Sequence, residues 1–412
     1  MSGVRRVDVL VVGAGPGGLA AAARLAAAGA GRVEVLEREQ QAGGVPRHCA
    51  HGGFGTWTHP LTGPSYARLL AEGAARAGAV VRTGVTALDW AGPLALTTVS
   101  PRGPEKIEAA AIVLATGARE RPRAARLVPG TRPAGVCTTG ELQQAVHLYG
   151  QRIGSRAVVV GAEDVSYAAT ATVRASGARV VAMVTDLPRA QAAPARALDA
   201  RLRHGVPLLT GTTVTELLGH GRLSGVRVRH RDGRSAVLPC DTVVFTGDFV
   251  PDHELARRGG LVCDPGTRGP AVDGALRTSR AGVFAVGSVL HPVGSAATAA
   301  REGARAAGAV RQWLAGGDWP GAVPLVVSEP LRWIAPHRVT PADRHGRYVL
   351  RSTEPLTRRV LRVTQDGRTL DRVRVRSSLP SALVPYRTTL TLTARWTHRV
   401  DAKGGPVRIT VD

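Results

Sequence analysis

The chain has 412 residues, enough for two or three domains, and its hydrophobic content of 44% is ordinary for a globular protein. No apolar run approaches the roughly 20 residues that a membrane-spanning helix needs, so no membrane span is expected. The net charge of +23 raises the question of a nucleic-acid partner. However, the arginines are spread along the chain without a basic block, lysine occurs only at Lys106 and Lys403, and aromatic residues make up only 4%. Nucleic acid is therefore not expected as a partner, whereas a basic surface that favours acidic substrates or partners stays open.

Four cysteines lie far apart, at Cys49, Cys137, Cys240 and Cys263. Because no CxxC or CxxxxC pair exists, the sequence gives no support to a metal site, an iron–sulfur cluster or a dithiol redox centre. Isolated thiols indicate a reducing compartment, so a cytoplasmic location is expected.

The N-terminal stretch predicts a dinucleotide-binding turn. The apolar run Val9–Val12 is typical of a buried parallel strand, and it is followed by Gly13-x-Gly15-x-x-Gly18 and a predicted helix over Leu19–Ala28. Gly13 permits a tight turn, Gly15 lets a pyrophosphate approach the backbone, and Gly18 lets the helix lie close to the strand. A second apolar run ends in Glu37, 24 residues after Gly13, where an acid that binds a ribose is expected.

The segment after Glu37 is predicted to run close to a cofactor. Arg38 and the glycine pair Gly43-Gly44 precede an irregular loop, Val45 to Gly55, which contains Cys49 and His51. Further on, a helix is predicted over 63–77, with short strands over 79–82 and 94–100. A second buried strand signal, 110–114, leads into Ala115-Thr116-Gly117.

An internal repeat of the opening unit is predicted to start at 157–161. Gly161 aligns with Gly13, but Glu163 replaces Gly15 and Ser166 replaces Gly18. A carboxylate directed at a pyrophosphate opposes it electrostatically, and its bulk blocks the approach of the backbone. The repeat is therefore predicted to keep the Rossmann shape and to have lost some of its nucleotide-binding chemistry.

The last part of the chain changes in composition. The segment 282–288 precedes a helix predicted over 296–314, and from Pro320 onward short segments alternate with period two. They include 360–363, 371–376 and 389–393, with a hairpin turn at Gln365-Asp366-Gly367-Arg368. We interpret this part as a small all-β appendage whose expected role is docking to a neighbouring subunit.

Together these motifs resemble the two-dinucleotide-binding-domain flavoproteins of the pyridine nucleotide–disulfide oxidoreductase superfamily, over about residues 7–315. The resemblance implies an α/β fold with two Rossmann-like FAD- and NAD(P)-binding domains of the three-layer ββα type, followed by the β appendage. It implies an FAD domain over 1–122 and 272–319, a degenerate NAD(P)-binding-like domain over 123–271 and a β-rich domain over 320–412.

The same resemblance implies a set of FAD contacts. Gly13, Gly15 and Gly18 would hold the pyrophosphate, Glu37 the adenosine ribose, and Val85 the adenine through its backbone. Gly287 and Ser288 would lie at the ribityl chain, where the superfamily usually has aspartate. The full predicted set of cofactor-binding residues is Gly13, Gly15, Gly18, Glu37, Arg38, Gly43, Gly44, Val85, Ala115, Thr116, Gly117, Gly287 and Ser288.

The loop over 43–55 is similar to that of FAD subunits of heteromeric amino-acid, opine and glycine oxidases and of flavoproteins associated with glycerol-3-phosphate dehydrogenases. Disulfide reductases have a CxxxxC pair after the glycine pair, and this chain has only Cys49. As catalytic residues, His51 would lower the pKa of the Cys49 thiol or act as a base for substrate oxidation. The alternative is a small buried thiol and a histidine that bonds its own loop.

The sequence therefore predicts an FAD-dependent oxidoreductase that moves a hydride from a small amine, amino acid or hydroxy acid to FAD. Its electrons would pass to a partner protein, a quinone or oxygen. Two alternatives stay open: an NAD(P)H-dependent flavin oxidoreductase, and a non-catalytic subunit that holds FAD within a hetero-oligomeric dehydrogenase.

Overall fold

A computed structural model describes residues 4–292, 294–343, 346–375, 386 and 389–412. The first segment follows the order β1 (Val4–Val12), α1 (Pro16–Ala27), β2 (Val33–Glu37), β3 (Phe54–Gly55), β4 (Pro60–Leu61), α2 (Gly63–Arg76), β5 (Val80–Thr83), β6 (Thr86–Gly92), β7 (Ala95–Ser100) and β8 (Gly103–Leu114). Strand β1 is central to a sheet ordered β5–β2–β1–β8–β7–β6, and it pairs in parallel with β2 and β8. Three of its apolar residues, Val9, Leu10 and Val11, are fully buried, because both faces of the sheet are covered.

Two glycines of the first motif fit where no other residue would. Gly13 has φ of 107°, and a Cβ there would lie 2.3 Å from the carbonyl oxygen of Ala115. A Cβ at Gly18 would lie 1.9 Å from the carbonyl oxygen of Gly13. The turn and the close helix–strand contact predicted for these positions are therefore present, and α1 begins at the end of β1 as expected.

The second segment repeats the arrangement. Its elements are β9 (Ala118–Glu120), β10 (Val136–Thr138), α3 (Thr139–Gln143), β11 (Arg156–Val160), α4 (Asp164–Ala175), β12 (Arg179–Val184), α5 (Pro194–Leu202), β13 (Leu208–Leu209), β14 (Thr212–Leu218), β15 (Gly225–His230), β16 (Ser235–Pro239), β17 (Thr242–Phe245), β18 (Phe249–Pro251) and α6 (Glu254–Arg258). A parallel sheet is ordered β10–β17–β11–β12–β13, and β14–β15–β16 form an antiparallel sheet. Equivalent hydrogen bonds occur in the two units. The amide of Gly13 donates to the carbonyl oxygen of Leu36, and the amide of Gly161 donates to the carbonyl oxygen of Val184, both at 2.8 Å.

The chain returns to the first sheet through β19 (Val283–Ala285), which pairs in parallel with β8, and then forms α7 (Ala296–Leu314). The two connections between the sheets, β9 and β18, pair antiparallel. After β18, Leu255, Ala256 and Leu261 already join the core of the first unit. The boundaries at 122 and 271 stay predictions, and this packing favours a return close to Pro251.

The C-terminal unit consists of β20 (Val323–Val327), β21 (Leu331–Ala335), β22 (Arg338–Val339), β23 (Arg347–Ser352), β24 (Val360–Gln365), β25 (Arg368–Arg374), β26 (Thr389–Thr393) and β27 (Val407–Val411). Its sheets are ordered β22–β20–β27–β24–β25 and β21–β23–β26, around a core that contains Tyr348 and Trp396. The predicted hairpin turn joins β24 and β25, with positive φ at Asp366 and Gly367. Arg376, at the end of the predicted period-two pattern, lies outside the described residues.

The C-terminal unit is joined to the first unit by main-chain hydrogen bonds. The amides of His337 and Arg338 donate to the carbonyl oxygen of Val272 at 2.9 and 3.0 Å. No helix in the described part of the chain has both the length and the apolar character that a bilayer crossing requires.

Candidate functional site

A cavity of about 760 Å³ lies at the carboxyl ends of β1, β2 and β8, where open parallel sheets bind ligands. Its wall includes most of the residues predicted to contact the cofactor. Those that line it are Gly13, Gly15, Glu37, Arg38, Gly44, Val85, Ala115, Thr116, Gly117, Gly287 and Ser288, together with Cys49. Gly18 and Gly43 lie behind this wall, and His51 does not line it.

The glycine loop leaves open space at the start of α1. Gly15 is the residue that precedes the helix, and a Cβ there would meet no atom within 4 Å. Gly44 lies directly beside it, since a Cβ at residue 44 would be 2.8 Å from the Cα of Gly15. The free N–H groups of the first helical turn therefore face a cradle with bare backbone on two sides, which suits a phosphate group.

Glu37 is held rigidly at the end of β2. One carboxylate oxygen accepts a hydrogen bond from the amide of Ala14 at 3.1 Å, and the other accepts from the amide of Glu39 at 3.0 Å. The side chain is buried yet lines the cavity. Arg38 is more exposed, and its guanidinium lies 3.4 Å from Asp252. The amide of Val85 donates to the carbonyl oxygen of Glu37 at 2.9 Å, which holds these two cavity residues together.

Thr116 and Gly117 connect the cavity to the returning chain. The Thr116 hydroxyl donates to the carbonyl oxygen of Asp252 at 2.6 Å, and the amide of Asp252 donates to Gly117 at 2.9 Å. Asp252 is 136 residues from Thr116, so sequence reasoning did not find it.

The start of α7 forms the opposite end of the cavity. Ser295 caps the helix by accepting a hydrogen bond from the amide of Thr298 at 3.2 Å. Glu302, nearly two turns into α7, accepts from the amide of Gly287 at 3.1 Å and pairs with His291 at 2.7 Å. Glu302 therefore holds the Gly287–Ser288 turn against the helix. In the sequence, the one feature that could have indicated this role is the position of Glu302 on the buried side of the predicted helix.

Cys49 and His51 differ from the expected pair. The Cys49 thiol is buried and lies 3.4 Å from the amide oxygen of Gln143. Burial, together with the charge of Glu120, raises the pKa of this thiol to about 12, which is opposite to the lowering that His51 was expected to give. His51 Nδ1 is hydrogen-bonded to the carbonyl oxygen of Gly52 at 2.7 Å. A catalytic role for either residue stays a prediction.

In the second unit, the position that matches Gly15 is filled. Glu163 precedes α4 as Gly15 precedes α1, and one of its carboxylate oxygens accepts from Gln191 at 2.9 Å. The other lies so close to Gly247 that a Cβ there would be 2.6 Å from it. Ser166 accepts from the amide of Glu163 at 3.0 Å and is hydrogen-bonded to Thr246 at 2.6 Å. A hydrogen-bonded carboxylate thus stands at the residue that matches Gly15.

Two linked Rossmann units, with an open glycine cradle in the first, define a nucleotide-binding oxidoreductase of the two-domain type. The family described as pyridine nucleotide-disulphide oxidoreductase matches residues 7–303, so the chain belongs to this family. Its members are oxidoreductases that bind FAD and use NAD(P)H. The predicted superfamily and fold class are confirmed.

Similar proteins include the alpha subunit of sarcosine oxidase from Corynebacterium sp. (strain P-1), 32% identical over 71% of this chain and 32% of that subunit. The chain thus matches about a third of the length of that relative. Thioredoxin reductase from Mycolicibacterium smegmatis is 30% identical over 76% of this chain and 97% of that protein. The crystal structure of T. acidophilum thioredoxin reductase shares the fold, with a TM-score of 0.64 and 24% identity over 75% of this chain and 98% of that one.

The residues present fit FAD in the first unit. A side chain at Gly15 would project into open space at the start of α1, and Gly44 contacts it with bare backbone, as a bound pyrophosphate requires. The second unit lacks this fit to a pyrophosphate, because the position that matches Gly15 carries the Glu163 side chain in place of bare backbone.

Proposed function

We propose that this chain is an FAD-dependent oxidoreductase that takes a hydride from a small organic substrate of the amine, amino acid or hydroxy acid class. The electrons then leave to a partner protein, a quinone or oxygen. The observation that carries the proposal is the contrast between the two units: the glycine cradle is open beside Gly15 and closed by Glu163 in its repeat.

When bound, FAD supplies the two-electron acceptor, and the chain supplies position and electrostatics. The backbone around Gly13 and Gly15, with the positive end of α1, would neutralise the pyrophosphate. Glu37 would accept hydrogen bonds from ribose hydroxyls. The positive end of α7, held in place by Glu302, would favour negative charge at the ring end of the cavity. The cavity walls would exclude water from the reacting atoms.

A second candidate is a subunit that holds FAD and transfers electrons within a larger enzyme. It is supported by the similarity to the alpha subunit of sarcosine oxidase, of which the match covers 32%. In either case a second subunit or an electron-acceptor protein is a proposed partner, and we propose a reducing compartment such as the cytoplasm from the four free cysteines.

Anaerobic stopped-flow mixing of the FAD-loaded full chain separates the candidates. We expect the visible flavin band to bleach with one class in a panel of amino acids, amines and 2-hydroxy acids, and to persist with NADH and NADPH. Bleaching by NADH or NADPH alone would overturn the proposal in favour of an NAD(P)H-dependent flavin oxidoreductase. A protein with bound FAD that nothing in either set reduces would support the electron-transferring subunit.

A further inference from the structure

A small pocket of about 70 Å³ adjoins the main cavity. The two share Glu163, Phe249, Pro292 and Arg351 as wall residues, so the pocket opens directly onto the cavity. Pro292 belongs to the segment between Ser288 and α7, at the ring end. The pocket therefore lies away from Glu37 and Val85, which line the adenosine end and not the pocket.

The pocket has an excess of positive charge. Four arginines line it, Arg121, Arg268, Arg332 and Arg351, together with the acidic residues Glu163 and Asp248. Arg121 pairs with Asp248 at 2.8 Å, and Glu163 accepts from Gln191. Within the described part of the chain, no ion pair involves Arg268 or Arg332. Arg351 donates to the Thr389 hydroxyl at 2.9 Å. Among the residues that line the pocket, the four arginines outnumber the two acidic residues by two.

The backbone of this pocket is held in an unusual conformation. Arg268 has φ of 66° and Asp248 has φ of 52°, in a region that residues other than glycine rarely adopt. The amide of Arg268 donates to Asp264 at 2.7 Å, and the amide of Thr267 donates to the Asp264 carboxylate at the same distance. Such conformations persist where the surroundings impose them, and they concentrate at binding sites.

Two of the four arginines come from the C-terminal unit. Arg332 lies on β21 and Arg351 on β23, where Arg351 is the register partner of Trp333. The Trp333 ring stacks on His291, with 5.9 Å between centroids. A Cβ at Gly266 would lie 2.6 Å from the carbonyl oxygen of Arg332, so the units are in direct contact here. The expected appendage is therefore part of the wall of the cavity.

We propose that Arg351, together with Arg268 and Arg332, binds the carboxylate of the substrate, and that the C-terminal unit thereby completes the substrate site. The guanidinium fork matches a planar two-oxygen anion, and the pocket has room for one such group while the rest of the substrate extends into the cavity. The inference rests on the proposed function and narrows its substrates to small organic acids, such as amino acids or hydroxy acids.

The test is calorimetric titration of the FAD-loaded full chain with benzoate, benzamide and inorganic phosphate. Benzoate is expected to bind, and Arg351→Met to weaken it about 10-fold or more, because a charge-assisted hydrogen bond is lost. The benzoate affinity of Arg351→Lys should lie between those of the wild type and Arg351→Met. Arg347→Met is the matched control, since Arg347 is on the same strand, is exposed and lines neither space. It should bind benzoate like the wild type.

Benzamide tests the charge, and its affinity should be the same in all four proteins. Equal benzoate affinity in wild type and Arg351→Met would overturn the inference, and so would phosphate binding as tight as benzoate. Because the titration needs no turnover, it is separate from the flavin-reduction assay: benzoate can bind as expected in a protein whose flavin no substrate reduces. In that outcome the anion site stands and the proposed reaction falls.

Discussion

The contact between α1 and α7 sets the width of the cofactor cavity, and a single methyl group tests it. A Cβ at Gly303 would lie 1.9 Å from the carbonyl oxygen of Gly17 and 3.1 Å from the amide nitrogen of Ala21. Since carbon and oxygen need more than 3 Å, Gly303→Ala forces the helices apart by about 1 Å or more. We expect such overpacking to destabilise the protein by about 1–3 kcal/mol. The helix starts that face the cavity also move, so FAD should bind more weakly.

Gly308 is the matched control within α7, because a Cβ there would meet no atom within 4 Å. Gly308→Ala should raise stability by about 0.5–1 kcal/mol, through the helix propensity of alanine, without changing FAD affinity. Thermal unfolding of the apo and FAD-loaded proteins measures the first effect, and quenching of FAD fluorescence measures the second. If Gly303→Ala and Gly308→Ala have the same stability and the same FAD affinity, the contact between α1 and α7 does not set the width of the cavity.

Three further changes probe other parts of the structure. With its pKa at about 12, the Cys49 thiol should resist iodoacetamide at pH 8, and modification at the rate of a free thiol, read by mass spectrometry, would contradict this. The contribution of this thiol to the free energy of unfolding should decline from about pH 9 to about pH 12, because the unfolded chain loses the thiol proton first. Glu163→Gly should tighten NADPH binding about 10-fold or more, whereas the control Asp164→Asn, at an exposed neighbouring residue, should leave it unchanged. Equal NADPH affinities of the two variants by calorimetry would show that Glu163 does not close the site. Glu34→Gln should lower stability by about 1–3 kcal/mol, because the buried carboxylate pairs with Arg5 at 2.7 Å, and an unchanged melting temperature would refute that pairing.

Sequence reasoning succeeded where the determinants are local. The strand–glycine–helix order at Gly13 to Gly18 and its repeat at Gly161 depend on neighbours within a few residues, and both units have the predicted form. The substitution at Glu163 was also visible in the sequence, and the structure adds that Gln191 binds its carboxylate.

The residues that were missed are brought to the site by long-range contacts. Asp252 reaches Thr116 across 136 residues, and Glu302 reaches His291 only because α7 folds back onto its own entry loop. No pattern in the β segments indicated that Arg351 would face the cavity, because which strand of an all-β unit docks on its neighbour depends on the whole surface of both. The sequence indicated only docking to a neighbouring subunit for this unit, and no local feature pointed to its contact with the cavity.

The number of dinucleotides bound per chain tests the central claim most directly. Equilibrium dialysis of the purified full chain against FAD and, separately, of the FAD-loaded chain against NADPH would count both sites. The account predicts one FAD per chain, in the first unit, and no NADPH at concentrations up to about 1 mM. One NADPH bound per chain in addition to FAD, or a chain that binds no FAD, would contradict it.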